Sequence, residues 1–357
     1  MQVSSWVVQK PATPMTREAR AETAGANEVI IRVAGCGVCH TDLGFFYDGV
    51  PTRHAFPLTL GHEISGTVVE AGAGAEAWLG RAVVVPAVLP CGECPACRAG
   101  RGQICPTQIF PGSDVHGGFA SHARLPARGL CPVPDLGDRA INPGGIALAD
   151  LSVVADAIST PYQAIVRSGL GVGDVAVFVG AGGVGGFGIQ VAAARGAAVA
   201  AIDVNRERLE QMAAHGAALT LDPAAMDLKD LRKQVRAFAE ARGVPSWRVK
   251  IFETSGSAKG QATAFALLGH GGYLSVVGYT PQAVELRFSN LMAFDATAQG
   301  NWGCLPEHYP AIVDLVLRGS VALAPFIEHR PLATINDVFA ELHAGGVLRR
   351  LVLIPES

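Results

Sequence analysis

Aromatic residues make up only 6% of this 357-residue sequence, and charged residues only 17%. So little charge beside 49% hydrophobic residues excludes an intrinsically disordered chain. Basic residues are not in excess: 28 Lys and Arg face 31 Asp and Glu, for a formal net charge of −3. That balance removes the bulk attraction on which binding to nucleic acid or to an anionic membrane depends. No apolar run approaches the ~18 residues of a spanning helix, because Gly and Asp break the longest stretches. Met1 to Arg20 lacks the apolar core of a secretory signal. A cytoplasmic location follows as the expectation, with neither nucleic acid nor membrane as partner. Repeats and low-complexity tracts are missing too, so solenoids and linkers are set aside.

Glycine is abundant, with 43 residues, and eight cysteines are present, most of them in two short segments. A chain of 357 residues exceeds a single ordinary core, and two domains are expected. Roughly the first 150 residues read as short strands punctuated by Gly and Pro, among them Val29–Val33, Gly66–Glu70, Ala82–Val85 and Phe119–Leu125. From Leu170 the rhythm becomes strand–helix alternation: the apolar run Val175–Val179, a helix over Val184–Arg195, a strand over Ala198–Asp203 and a helix over Arg206–His215 closed by Gly216. Ala217–Leu221, Val249–Thr254 and Tyr273–Gly278 continue the series. Unbroken apolar strands separated by helices give a parallel sheet buried on both faces, an α/β architecture. The last stretch, about 60 residues, is too short for a core of its own and returns to complete the first domain.

Gly180-Ala-Gly182-Gly183-Val184-Gly185 follows a strand and opens a helix. The first glycine makes a tight turn, the second lets backbone approach a pyrophosphate, and the third lets helix and strand pack closely. Asp203, 18 residues beyond Gly185, closes the next strand where a carboxylate grips ribose hydroxyls and repels a 2′-phosphate. NAD is therefore the expected dinucleotide. Arg206 and Arg208 follow directly and either soften that preference or form a solvated helix face.

Cys91, Cys94 and Cys97 are followed by Cys105 in one Gly- and Pro-rich loop. Four thiolates so spaced suit a closed tetrahedral zinc site that folds a loop; an iron–sulfur cluster and disulfides compete for the same residues. A sparser group, Cys39 with His62, offers one sulfur and one imidazole for a catalytic ion with an open position. Alone, each of these two residues reads equally as ordinary core.

Taken together, GCGVCHTD, GHE, the four-cysteine lobe, GAGGVGG and AID occur in this order along nearly the whole chain. In this it resembles the zinc-dependent alcohol dehydrogenases of the medium-chain dehydrogenase/reductase superfamily. The resemblance implies a GroES-like β-rich catalytic domain over 1–155 and 297–357, and a Rossmann NAD-binding domain over 156–296. It also implies a homodimer or homotetramer, with one catalytic and one structural zinc per chain. By position, Cys39 and His62 resemble two ligands of the catalytic zinc, and Glu63 an alternative ligand. The third place, often a cysteine six positions before a tyrosine, falls here on Asp156, ahead of Tyr162; Asp150 is the reserve. Thr41 matches the hydroxyl that receives the substrate proton, Asp42 the carboxylate that orients the ligating histidine, and His40 a basic position at the cofactor pyrophosphate. Gly44 stands where many members carry a relay histidine, which leaves the proton's exit to His40, His54 or water.

The phrases GFFYDGVPTRHAFPLTLGHEISG and QIFPGSDVHGGFASHARLPA further resemble the 6-hydroxycyclohex-1-ene-1-carbonyl-CoA dehydrogenases of anaerobic benzoyl-CoA breakdown. That implies a small-molecule substrate carried as a CoA thioester, its allylic alcohol oxidised to a ketone. Arg17, Arg20, Arg53, Arg98 and Arg101 are available for CoA phosphates, though each reads as well as a surface arginine. A simple non-CoA alcohol, or zinc-assisted hydration of an enoyl thioester, would use the same residues. Phe45, Phe46, Tyr47, Phe110 and Trp302 suit an apolar pocket or the core. Cys36, Cys131 and Cys304 take no assignment.

Overall fold

The computed structural model describes residues 1–356. The chain forms two units. The first holds Met1–Ser159, Gly303–Gly319 and everything from Leu323; the second holds Thr160–Trp302 and Ser320–Ala322.

The first unit is built on a seven-stranded sheet. Its spatial order is Ile327–Pro331, Arg350–Ile354, Glu28–Gly37, Glu63–Ala71, Ala82–Val85 and Cys131–Pro132, with His122–Pro126 also pairing to Glu28–Gly37. All pairs but the first are antiparallel. Glu28–Gly37 is the hub, and two register shifts bend it. The pairing is tight at Gly66, where a Cβ would sit 2.2 Å from the Arg32 carbonyl oxygen. Val29, Ile31, Leu60, Ile64, Val83 and Phe119 form a continuous core beneath the sheet, joined by Phe339 from the helix Ile335–Ala344. That helix and His40–Tyr47 were not legible in the sequence, the second because it begins inside a Cys/His motif.

The second unit is a six-stranded, wholly parallel sheet in the order Ala217–Leu221, Ala198–Ile202, Val175–Val179, Val249–Glu253, Tyr273–Val276 and Thr297–Gly300. Val175–Val179 is buried along its full length, as a central strand covered on both faces must be. Helices such as Gly183–Ala194 and Leu228–Glu240 join the strands, and Val177, Ile202, Leu231, Val235 and Ile251 share one core.

The expected boundaries, 155/156 and 296/297, are corrected on two counts. Thr297–Gly300 pairs in parallel with Tyr273–Val276 and extends the dinucleotide-type sheet by one strand, so this unit runs on to Trp302. Its sequence, TAQG, is too short and polar to read as a strand. Asp156 stands in the first unit. Among the described residues, no helix is long and apolar enough to cross a membrane.

Candidate active site

Cys39 caps the helix His40–Tyr47, and Asp42 sits one turn inside it. The fully buried Asp42 carboxylate holds two segments at once. Its Oδ2 accepts the Cys39 amide at 2.9 Å and its Oδ1 accepts the Gly61 amide at 3.1 Å. The same Oδ1 lies 3.3 Å from His62 Nδ1. Gly61 turns the chain into His62 with φ +96°, where any Cβ would strike Cys36 Sγ at 2.8 Å. Asp42 therefore ties the Cys39 backbone to the Gly61–His62 segment and faces the His62 ring.

Asp156 reaches Cys39 and His62 from far along the chain. It ends the 3₁₀ helix Leu148–Ala155, and its Oδ2 lies 3.6 Å from both Cys39 Sγ and His62 Nε2. Asp150, the reserve, is spent elsewhere: its Oδ2 accepts the Ala147 amide at 2.8 Å and its Oδ1 is 2.7 Å from His329 Nε2. Glu63 is fully buried beside the cluster, but its carboxylate is held by the Arg350 guanidinium, with Nε 3.0 Å from Oε2 and Nη2 on Oε1. The Ala157 amide also donates to Glu63 Oε1, at 3.1 Å. Burial raises the Glu63 carboxyl, and Arg350 pulls it back toward the charged form. Arg350 escaped sequence reading, although an arginine opening the apolar run RLVLI was a usable signal.

The donor set can be weighed directly for a zinc ion. His62 is 1% exposed; its Nδ1 faces the Asp42 carboxylate, and its Nε2 makes no hydrogen bond. A buried nitrogen without a partner is costly unless something else coordinates it. One atom each from Cys39, His62, Glu63 and Asp156 lies within 4.8 Å of the others. Sulfur, nitrogen and carboxylate oxygen are the ligands zinc takes, and the set fits. In the metal-free chain, burial lowers the His62 pKa, but Asp42 and Asp156 outweigh it and raise the net value.

Cys91, Cys94, Cys97 and Cys105 form a second cluster. Sulfur separations of 3.9, 3.5 and 3.8 Å match the ~3.8 Å edge of a tetrahedron with ~2.3 Å zinc–sulfur bonds, and are far too long for disulfides at ~2.05 Å. Backbone amides of Glu93 and Cys94 donate to Cys91 Sγ at 3.4 and 3.3 Å, and those of Cys97 and Cys91 donate to Cys94 and Cys105 at 3.5 and 3.4 Å. The Glu93 amide first, then the Thr107 hydroxyl and the Cys94 amide, bring the Cys91 thiol down to about 6. Burial and the neighbouring thiols push Cys97 up to about 12, so the four sulfurs are not alike in the metal-free chain.

In the second unit, Gly180 takes φ +100°, and a Cβ there would lie 2.5 Å from Ser255 Cα. Gly185 packs so closely that its Cβ would fall 1.9 Å from the Gly180 oxygen. A Cβ on Gly182 would meet nothing nearer than the Arg208 guanidinium at 3.7 Å, which leaves that backbone open above the turn. Gly183 and Val184 begin the helix. Asp203 is 8% exposed, and its oxygens accept the Ala181 amide at 2.7 Å and the Asn205 amide at 2.8 Å. It borders a cavity of about 100 Å³ with Ser255, Ser257, Lys259 and Thr263. Those four residues were not singled out from the sequence, because single Ser, Thr and Lys residues carry no pattern.

Of the remaining expected residues, Thr41 Oγ1 stands 3.7 Å from Cys39 Sγ, and His40 is exposed at the helix start. Gly44 lies inside the same helix, and His54 bonds its neighbouring Ala55 carbonyl at 2.6 Å, beside His116. Phe110 packs against the His62 ring, with centroids 4.7 Å apart, and against Phe45. Phe46 is core, Tyr47 stacks on His343, and Trp302 is exposed in the other unit. Arg17, Arg20 and Arg53 already pair with Glu356, Glu22 and Asp114. Burial pushes the Cys36 and Cys304 thiols well up and Cys131 to about 12, so all three are inert core residues.

Comparison with known proteins fits this geometry. Residues 25–135 match the alcohol dehydrogenase GroES-like domain, and residues 183–318 the zinc-binding dehydrogenase family. An alcohol dehydrogenase of Geobacillus stearothermophilus is 29% identical over 329 residues, 91% of each chain. The 2-dehydro-3-deoxy-L-galactonate 5-dehydrogenase of Pseudoalteromonas atlantica is 30% identical over 327 residues, again 91% of each. Among solved structures, the alcohol dehydrogenase of Aeropyrum pernix superposes with a TM-score of 0.84 at 31% identity, covering 99% of this chain and all of its own.

Proposed function

The chain belongs to the zinc-dependent alcohol dehydrogenases of the medium-chain superfamily, oxidoreductases of CH–OH groups, and on that premise we propose that it oxidises a secondary alcohol to a ketone with NAD as acceptor. The observation that carries the reading is the buried His62 Nε2, without a hydrogen bond and grouped with Cys39 and Asp156. Cys39, His62 and Asp156 would hold a catalytic zinc, and the four cysteines of the 91–105 loop a structural one. When bound, zinc supplies the Lewis acidity that makes a substrate hydroxyl more acidic, and NAD supplies the hydride acceptor. The chain's own residues do the rest. Asp42 keeps the His62 ring and the Cys39 backbone aimed together. Thr41 Oγ1, beside Cys39 Sγ, is placed to accept the substrate's hydroxyl proton and pass it outward. Glu63, tied to Arg350, stands behind the cluster as a reserve carboxylate. The Gly180–Gly185 turn takes the pyrophosphate on helix amides, with Arg208 as its basic neighbour, and Asp203 takes the ribose and disfavours a 2′-phosphate.

The finer reading within this class is an allylic alcohol on a CoA thioester, with 6-hydroxycyclohex-1-ene-1-carbonyl-CoA as the specific substrate. Its support is the phrase-level resemblance around His54 and Phe110. Of the arginines available to CoA phosphates, Arg98 and Arg101 form no ion pair among the described residues, and they are the pair to test. NADH formation from a panel of simple secondary alcohols, sugar acids and hydroxyacyl-CoA thioesters, each with NAD and NADP, separates these readings. No dinucleotide reduction with any alcohol would overturn the oxidoreductase mechanism. Thr41→Val should lower kcat by about 10²-fold or more while NAD affinity stays near wild type. Full activity in that variant would remove Thr41 from the proton path.

A further inference from the structure

Asp156 sits between two backbone groups that are each tied down, and all but one of the ties come from distant parts of the chain. On its N-terminal side, the Ala155 carbonyl ends a 3₁₀ helix, where no partner within the helix is left for it. Three donors converge on that one oxygen: the Tyr309 hydroxyl at 2.6 Å, the Ser159 hydroxyl at 3.0 Å and the Ala87 amide at 3.3 Å. The two hydroxyls also lie 3.1 Å apart. On the C-terminal side, the Ala157 amide donates to Glu63. Tyr309 is fully buried at the start of the helix Tyr309–Leu317, and Ser159 is 1% exposed at the start of Ser159–Ser168. A buried tyrosine hydroxyl needs only one partner to be satisfied. This one is spent on the peptide unit that carries a candidate metal ligand, 154 residues away.

We propose that Tyr309 and Ser159 act as a hydroxyl clamp on the Ala155–Asp156 peptide and set the direction from which Asp156 meets the ion. Tyr309 is thus a positioning residue, distinct from any group that touches substrate or metal. The physical basis is that Cys39 and His62 are aimed locally, by Asp42 and the Gly61 turn, whereas Asp156 stands just past the end of a 3₁₀ helix, at its C-cap. Rotating the 155–156 peptide by a small angle moves the Asp156 oxygen away from both partners, which it now faces at equal distance. The inference rests on reading Asp156 as a ligand.

The test compares Tyr309→Phe, Ser159→Ala and Asp156→Asn in the full-length zinc protein. The readout is zinc affinity, measured by chelator competition, with the four-cysteine zinc as an internal reference. Cobalt is then loaded in place of the weaker-held ion and its visible absorption recorded. Tyr309→Phe should bind the ion at the mixed site about tenfold more weakly and shift the cobalt bands, while the four-thiol zinc is held as before. Ser159→Ala should change affinity in the same direction by a smaller factor. Retained wild-type affinity and cobalt spectrum in Tyr309→Phe would overturn the clamp. Should that variant lose both metals through misfolding, Ser159→Ala decides, and wild-type affinity there overturns the proposal. If Asp156→Asn alone weakens binding, the clamp fails and the ligand reading stands. If Asp156→Asn binds zinc as tightly as wild type, both fall together.

Discussion

The two cysteine-bearing clusters of the first unit solve the same chemical problem by opposite means. The 91–105 loop gathers four like donors from one short stretch, and its supports are backbone amides of the same stretch. The mixed cluster gathers unlike donors from three segments, with Asp156 separated from Cys39 by 117 residues. Its supports are side chains: Asp42 before it, Glu63 and Arg350 behind it. A self-contained loop needs little from the rest of the fold, while an assembled site depends on the sheet that brings its parts together. A four-thiol set is the composition of a closed structural zinc site, and a mixed set of sulfur, nitrogen and oxygen is the composition of a catalytic one.

The sharpest break in that comparison is His62→Ala. It should remove the ion from the mixed cluster alone, leaving one zinc per chain by elemental analysis and lowering kcat/KM by about 10³- to 10⁴-fold. Loss of both metals would show that the clusters are not independent. Cys94→Ser is the reciprocal variant: the loop should lose its ion and the melting temperature should drop by about 10 °C, with kcat of the molecules still folded changing little. Equal loss of activity and stability would join the two regions into one.

The supports differ as the donors do. Arg350 is buried against a fully buried Glu63, and deleting one partner strands the other's charge. Arg350→Met should cost about 3 kcal/mol in denaturant unfolding, and Glu63→Gln in the same chain should recover most of it. No single side-chain change near the four-cysteine loop outside its thiols should approach that figure, since backbone amides cannot be substituted away. A double variant no better than Arg350→Met would locate the cost in packing around the guanidinium stem instead.

What could be read from the sequence follows the same division. The four-cysteine lobe and the Gly180–Gly185 turn are local patterns, in which residue types and spacing encode their own geometry. The long apolar strands of the parallel sheet were legible for the same reason. Asp156 could be placed only through resemblance, because nothing local distinguishes an aspartate that meets Cys39 from one that merely caps a turn, as Asp150 does. Arg350 and Tyr309 act through pairings across the fold, which no spacing rule reports. Thr297–Gly300 was missed because an edge strand with exposed polar residues carries no hydrophobic alternation.

The smallest effect concerns a second histidine, and it isolates what makes His62 different. His116 is half-buried, and its Nδ1 accepts the Thr59 amide at 3.1 Å, so the chain itself satisfies that nitrogen. Burial, with Arg20 and His54 adding to it, takes its pKa from 6.5 to about 4. The folded protein then binds fewer protons than the unfolded one between these values. Stability is complete above about pH 6.5 and declines as pH falls toward 4. Discounted for partial solvent exposure, the loss should be about 1 kcal/mol. His116→Gln, compared with wild type by urea unfolding at pH 7 and pH 4.5, should flatten that part of the profile and leave zinc content at two per chain. An unchanged slope would assign the acid sensitivity to other groups, and a loss of zinc would mean that satisfied and orphaned histidines are not separable in this fold.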